Sequence, residues 1–259
     1  MSPGRRRHPS SGLRAAGSRR WRLVACAAVA LAAVGGARGA DETVDSTDAR
    51  ALTPVEVTGV KGAARVSYER LLEGVATFAR HRPRAPTAEL LFQVFDRAVQ
   101  PAPPLVVRLD VEDRSFVLAP GDDGRFRLPG RDMTGPGDGE LVANRRLGEI
   151  LIEPSVRSAG TTSHERRLGD LRAECEVWWT VYRDDTPFLL RNAVELLGGI
   201  CRSATISVDR PSASRLAAAT LSSGSRTARL KLEPDGLGYV PPLHDKEWSD
   251  DARVLLTDR

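Results

Sequence analysis

Apolar and polar residues alternate most strictly between Leu171 and Val181, where Leu171, Ala173, Cys175, Val177, Trp179 and Val181 are spaced by Arg172, Glu174, Glu176 and Thr180. A period of two predicts a β-strand with one buried face, with Cys175 inward and Trp178 and Tyr182 on the opposite side. The pattern changes after Ser67, where Tyr68, Leu71, Leu72, Val75, Phe78 and Ala79 recur at helical spacing. With Ser67 as N-cap this predicts a helix to about Arg80, broken by the two prolines between His81 and Pro86. A second helix is predicted over Phe188 to Leu197, with Thr186 as cap, Pro187 at the first helical position and Gly198-Gly199 closing it. The remaining apolar runs are short and read as strands: Val55 to Thr58, Leu90 to Phe95, Leu105 to Val111, Ser115 to Ala119, Arg125 to Leu128, Glu140 to Ala143 and Glu149 to Glu153. The Pro86-Thr87 opening leaves a helix open for the second of these.

These elements predict a mainly β protein with a few helices, made of antiparallel β-sandwich-like units joined through a strand-helix unit. Residues 54–183 read as a first β-rich domain with one N-terminal helix, and residues 184–259 as a helix followed by a second small β domain. The last sixty residues echo the earlier meander. Leu105 to Pro129 passes through two strands to Asp123-Gly124, Leu216 to Pro242 does the same to Asp235-Gly236, and each leads through an acidic loop to a further strand, Glu140 to Ala143 and Arg253 to Thr257. Either a duplicated unit or the turn chemistry common to antiparallel meanders accounts for the echo.

The first forty residues change the picture of compartment. They carry eight arginines and no acid, then an apolar run from Leu23 to Val34, then the small residues Gly35-Gly36-Ala37-Arg38-Gly39-Ala40. This is the pattern of an export signal cleaved near residues 37–40. The apolar run is shorter than the roughly twenty residues that a membrane-crossing helix needs, so no stable anchor is expected after cleavage. Ser18-Arg19-Arg20-Trp21-Arg22-Leu23 is similar to a twin-arginine signal, although Arg22 stands where an apolar residue is usual, so the export route stays open. Residues 41–53 read as a flexible polar leader, and the expected location is the periplasm or the medium.

Removing that segment reverses the charge. The chain has 38 basic and 34 acidic residues, a balance of +4, and without the eight arginines the balance is 30 against 34, or −4. A phosphate-neutralising surface has no support in that composition, and nucleic acid is not an expected partner. Cys26 departs with the signal, leaving Cys175 and Cys201, the count for one structural disulfide in an oxidising compartment. Closing such a loop stabilises a fold by about 3 kcal/mol in the loop-entropy account.

Candidate chemistry is sparse. Phosphate loop, zincin helix, nucleophile elbow and EF-hand signatures are absent from the sequence, and neither cofactor nor metal is expected. Ser163-His164-Glu165 places three reactive types side by side, which suits a solvated turn better than a triad. Asp122-Asp123, Asp138, Asp184-Asp185 and Asp250-Asp251 suit turns unless loops bring them together for calcium. Asp245, Glu247, Asp250 and Asp251 surround Trp248, the one place to seek a carboxylate pair for glycoside hydrolysis.

The stretch Asp123-Gly124-Arg125-Phe126-Arg127-Leu128-Pro129 resembles the Asp-x-x-Gly-x-Phe turn of transthyretin-like, carboxypeptidase-regulatory-like β-sandwich domains, and Asp235 to Tyr239 is a looser version. The resemblance covers about a dozen residues of each half. It implies a sandwich and a non-enzymatic extracytoplasmic role, and brings no catalytic residues with it. The favoured expectation is thus a non-catalytic binding or adaptor module with a protein partner in the cell envelope and a candidate surface of Trp178, Tyr182, Tyr239 and Trp248. The alternative is a carbohydrate-binding or carbohydrate-hydrolysing envelope protein.

Overall fold

A computed structural model describes residues 60–259. The expected export signal, the polar leader and the strand Val55 to Thr58 lie outside the described residues. In chain order the elements are β1 (Ala63–Ser67), α1 (Tyr68–His81), β2 (Ala88–Asp96), β3 (Val107–Val111), β4 (Arg114–Leu118), β5 (Arg125–Phe126), α2 (Arg131–Thr134), β6 (Gly139–Arg146) and β7 (Ile150–Ser158). There follow β8 (Glu165–Arg167), α3 (Leu168–Tyr182), α4 (Phe188–Leu196), β9 (Arg210–Pro211), β10 (Leu216–Ser223), β11 (Arg226–Arg229), β12 (Lys231–Leu232), β13 (Gly238–Val240) and β14 (Arg253–Asp258). The fold is mainly antiparallel sheet with four helices, compatible with a β-sandwich-like arrangement of several sheets.

The four-stranded sheets of the two halves share one topology. One sheet has the order β1-β6-β3-β4 and another β8-β14-β10-β11, so the strand leading into the long helix pairs in each case with the last strand, which pairs in turn with a hairpin. A small sheet accompanies each: β5-β2-β7 in the first half and β12-β13-β9 in the second. The Asp-Gly turns correspond atom for atom. Asp123 Oδ1 accepts from Arg125 N at 3.0 Å and Asp235 Oδ1 from Leu237 N at 2.8 Å, with Gly124 and Gly236 at φ of 74° and 72°. That conformation suits a residue without Cβ. The echo heard in the sequence between residues 105–143 and 216–257 therefore coincides with equivalent strands. The second repeat starts at β8, ahead of α3, whereas the sequence reading places the break after residue 183.

Residues 171–181, expected as a strand, are helical, and the physical reason explains the misleading alternation. A helix turns about 100° per residue, so a step of two residues lands on nearly the opposite side. Leu171, Cys175 and Trp179 face the hydrophobic cluster of the second repeat with Leu168, Leu221, Val254 and Trp248, while Ala173, Val177 and Val181 face that of the first with Tyr68, Leu71, Phe92 and Leu141. A helix wedged between two cores thus shows an apolar residue at every second position. Its contact with α1 is close at Gly74, where a Cβ would lie 2.9 Å from Val181 Cγ2 and 3.2 Å from Val177 Cγ1.

Of the other helices α1 and α4 follow expectation, with Pro187 rather than Thr186 as the N-cap of α4, whereas the short α2 is not expected from the sequence. Ser67 caps α1, its Oγ accepting from Arg70 N at 3.4 Å, and α4 begins after Pro187. The disulfide joins Cys175 to Cys201 with Cα atoms 5.8 Å apart, tying α3 to the segment after α4. Among the described residues no helix is long and apolar enough to cross a membrane.

Candidate functional site

Besides its two apolar faces α3 carries a polar stripe at positions 170, 174, 178 and 182, one helical turn apart, and this stripe runs down β7. Asp170 accepts from Ser158 N at 2.7 Å and from Ser158 Oγ at 2.8 Å, and Glu174 Oε2 accepts from Val156 N at 2.8 Å. Trp178 Nε1 donates to Glu153 Oε1 at 3.2 Å, and the Tyr182 hydroxyl donates to the Ile152 carbonyl. Two buried arginines complete the arrangement. Arg166 Nη2 donates to Glu174 Oε2 at 2.6 Å, while Arg210 bridges Glu174 at 3.1 Å and Glu153 at 3.0 Å. Burial pushes the Glu153 carboxyl up to about 7, Arg210 opposing and Glu174 reinforcing the shift. Burial works against the charge of Arg166 and Arg210, but Glu174 with Tyr239 and Asp170 around Arg166, and Glu174 with Glu153 and Tyr239 around Arg210, together outweigh it, and both guanidinium groups are held more firmly protonated than usual. The group is a closed set of two acids and two bases in a low-dielectric interior, where each removal leaves a charge stranded.

The four aromatic residues expected to share a surface do not do so. Trp178 and Tyr182 lie side by side on α3 with ring centroids 5.9 Å apart, half-buried, and their N–H and O–H groups are already used inside the protein. Tyr239 is 0% exposed and Trp248 4% exposed. Trp248 belongs to the second core, capped by the Arg226 guanidinium 4.0 Å from its ring centroid. The reason is topological: β13 is the middle strand of its sheet, and the Trp248 loop folds back over α3.

The acids around Trp248 are likewise engaged. Asp250 pairs with Arg172, Asp251 with Arg167 at 2.8 Å and Glu247 with Arg226 at 3.2 Å, while Asp245 Oδ1 accepts from Glu247 N at 2.9 Å. Asp250 and Asp251 fasten the loop to α3 and its N-cap, Glu247 fastens it to β11 and Asp245 closes a turn within it, so they do not face one another across a cleft. In the Ser163-His164-Glu165 stretch Glu165 pairs with Arg253 at 3.0 Å, and His164 Nδ1 stands 3.7 Å from Asp258 Oδ2. Among the described residues no group of three metal-capable side chains converges.

What sequence reasoning missed is the outer face of α4. Phe188, Leu189, Leu196 and Leu197 are 63%, 80%, 88% and 52% exposed, and Val194 is the sole buried residue of the helix. A helix this apolar with so little of it buried is a patch of the kind that marks an interaction surface. A signal was available: Phe188-Leu189-Leu190 and Leu196-Leu197 supply more apolar side chains than one buried stripe of a nine-residue helix can use. Of the acids next to them in the chain, Asp184 is paired with Arg191 at 2.9 Å and Asp185 with Arg70 at 2.8 Å, and the Arg191 guanidinium lies 5.7 Å from the Phe188 ring centroid. No protein-family model, no curated protein and no solved structure matches this chain.

Proposed function

We propose that this chain is an exported, non-catalytic binding module of the bacterial envelope, located in the periplasm or the medium, that docks a protein partner on the apolar face of α4. The observation that carries the reading is the exposure of Phe188, Leu189 and Leu196 on one short helix and of Leu197 at its C-cap. A protein is favoured over a lipid surface because residues 41–259 carry a net charge of −4, which disfavours an anionic bilayer. The export pattern of residues 1–40, the disulfide and the similarity of the Asp-Gly turns to extracytoplasmic β-sandwich domains support the same reading.

The test is crosslinking in the native envelope with a photoreactive residue placed at Leu189, compared with the same residue at Leu147, an exposed but isolated apolar position. One stoichiometric protein partner is expected from position 189, absent from position 147 and lost in a Phe188→Ser/Leu196→Ser variant of unchanged melting temperature. Equal capture from both positions, or capture of a second copy of the chain alone, would overturn the adaptor reading.

A further inference from the structure

A cavity of about 260 Å³ opens where the β5-β2-β7 sheet meets β8, β13 and β14. Arg125 of β5, Arg157 of β7, Arg166 of β8 and Tyr239 of β13 line it, together with the acids Asp123 and Asp258. Among the described residues five buried side-chain polar atoms have no hydrogen-bond partner in the protein, and three of them belong to residues of this lining: Arg157 Nε, Arg166 Nε and the Tyr239 hydroxyl. Leaving a buried polar group unpaired costs about 1–3 kcal/mol, and all three of these residues border the one cavity.

The charge balance points the same way. Arg166 is paired with Glu174 and Arg125 with Asp123 at 2.5 Å. Asp258 accepts from Ser214 Oγ at 2.6 Å and faces His164. Arg157 makes no ion pair among the described residues; its Nη1 donates to the Thr162 carbonyl at 3.1 Å, and the Glu89 opposite it in the sheet is taken by Arg127. Burial, with Arg166 and Arg125 nearby, presses its guanidinium down to about 10, the direction that a bound negative charge would reverse. The two guanidinium Nε atoms only donate and the Tyr239 hydroxyl can donate, and a guanidinium fork matches the spacing of two oxygens on a carboxylate or phosphoryl group. Phe95, Pro211 and Leu256 add apolar wall.

We infer that this cavity is a binding site for a small organic oxyanion, a carboxylate or phosphate monoester with a short apolar body, whose head is held by Arg157, Arg166 and Tyr239. The site is separate from the face of α4 and does not depend on the partner proposed there.

Isothermal titration of the whole exported chain with benzoate and with phenyl phosphate, at fixed ionic strength, tests it, and the two probes distinguish the head groups. Saturable one-to-one binding of at least one probe is expected. Arg157→Gln should weaken it about tenfold or more, the loss of a charge-assisted contact. Tyr239→Phe, which removes a hydroxyl with no protein partner and so leaves the melting temperature unchanged or higher, should weaken it severalfold. Failure of both probes to bind saturably, or binding by both variants with wild-type affinity, would overturn the assignment.

Discussion

At the scale of the residue, the buried polar side chains are the part of this protein with most at stake. Glu153 sits between Arg210 and the indole N–H of Trp178, with Glu174 beyond, and burial holds its carboxyl near 7 against an ordinary 4.5. The folded state thus binds that proton more tightly than the unfolded chain. Its stabilising contribution is complete below about 4.5 and is lost as pH rises through about 7. Melting temperature should therefore fall between about pH 5 and about pH 8, and Glu153→Gln should flatten the fall; an unchanged profile in the variant would assign the titration elsewhere. Little of this was visible in the sequence. Arg166, Arg167 and Arg172 look like surface charge because acids are interleaved with them, and only the tertiary fold shows that each reaches a buried carboxylate or a backbone carbonyl.

At the scale of the element, local signals were reliable where one side of an element meets one core. The Ser67 cap and the helical spacing of α1 describe a helix of that kind, Pro187 marks the start of α4, and β2, β3 and β4 form where short apolar runs predict them. Alternation failed at α3 because a helix packed on two sides presents apolar residues at a period that a strand also produces. Three polar residues of α3, Asp170, Arg172 and Glu174, are buried as well, which no pattern of hydrophobicity registers. The α1–α3 contact gives the sharpest test of the helical assignment. Gly74→Val would drive a branched side chain into Val177 and Val181, and the cost of overpacking is about 1–3 kcal/mol. A denaturant titration should show that loss as a lower midpoint with an unchanged slope, and no change in midpoint would contradict the close approach.

At the scale of the whole molecule, one helix completes two hydrophobic cores. The first core takes Ala173, Val177 and Val181 from α3, so the first repeat is not closed by its own residues. A fragment of residues 60–158 should therefore lack cooperative unfolding, whereas residues 60–259 should melt in a single calorimetric transition. Cooperative unfolding of the short fragment would show that the repeats are independent. The bridge from Cys175 to Cys201 has a consequence for the helix it encloses. Residues 176–200, α4 among them, form a covalently closed loop, and α4 carries the most exposed apolar side chains of that loop. A protease that clips the chain there severs a peptide bond without releasing a piece: both cores stay on one molecule, and the nick becomes visible only when a reducing agent opens the ring.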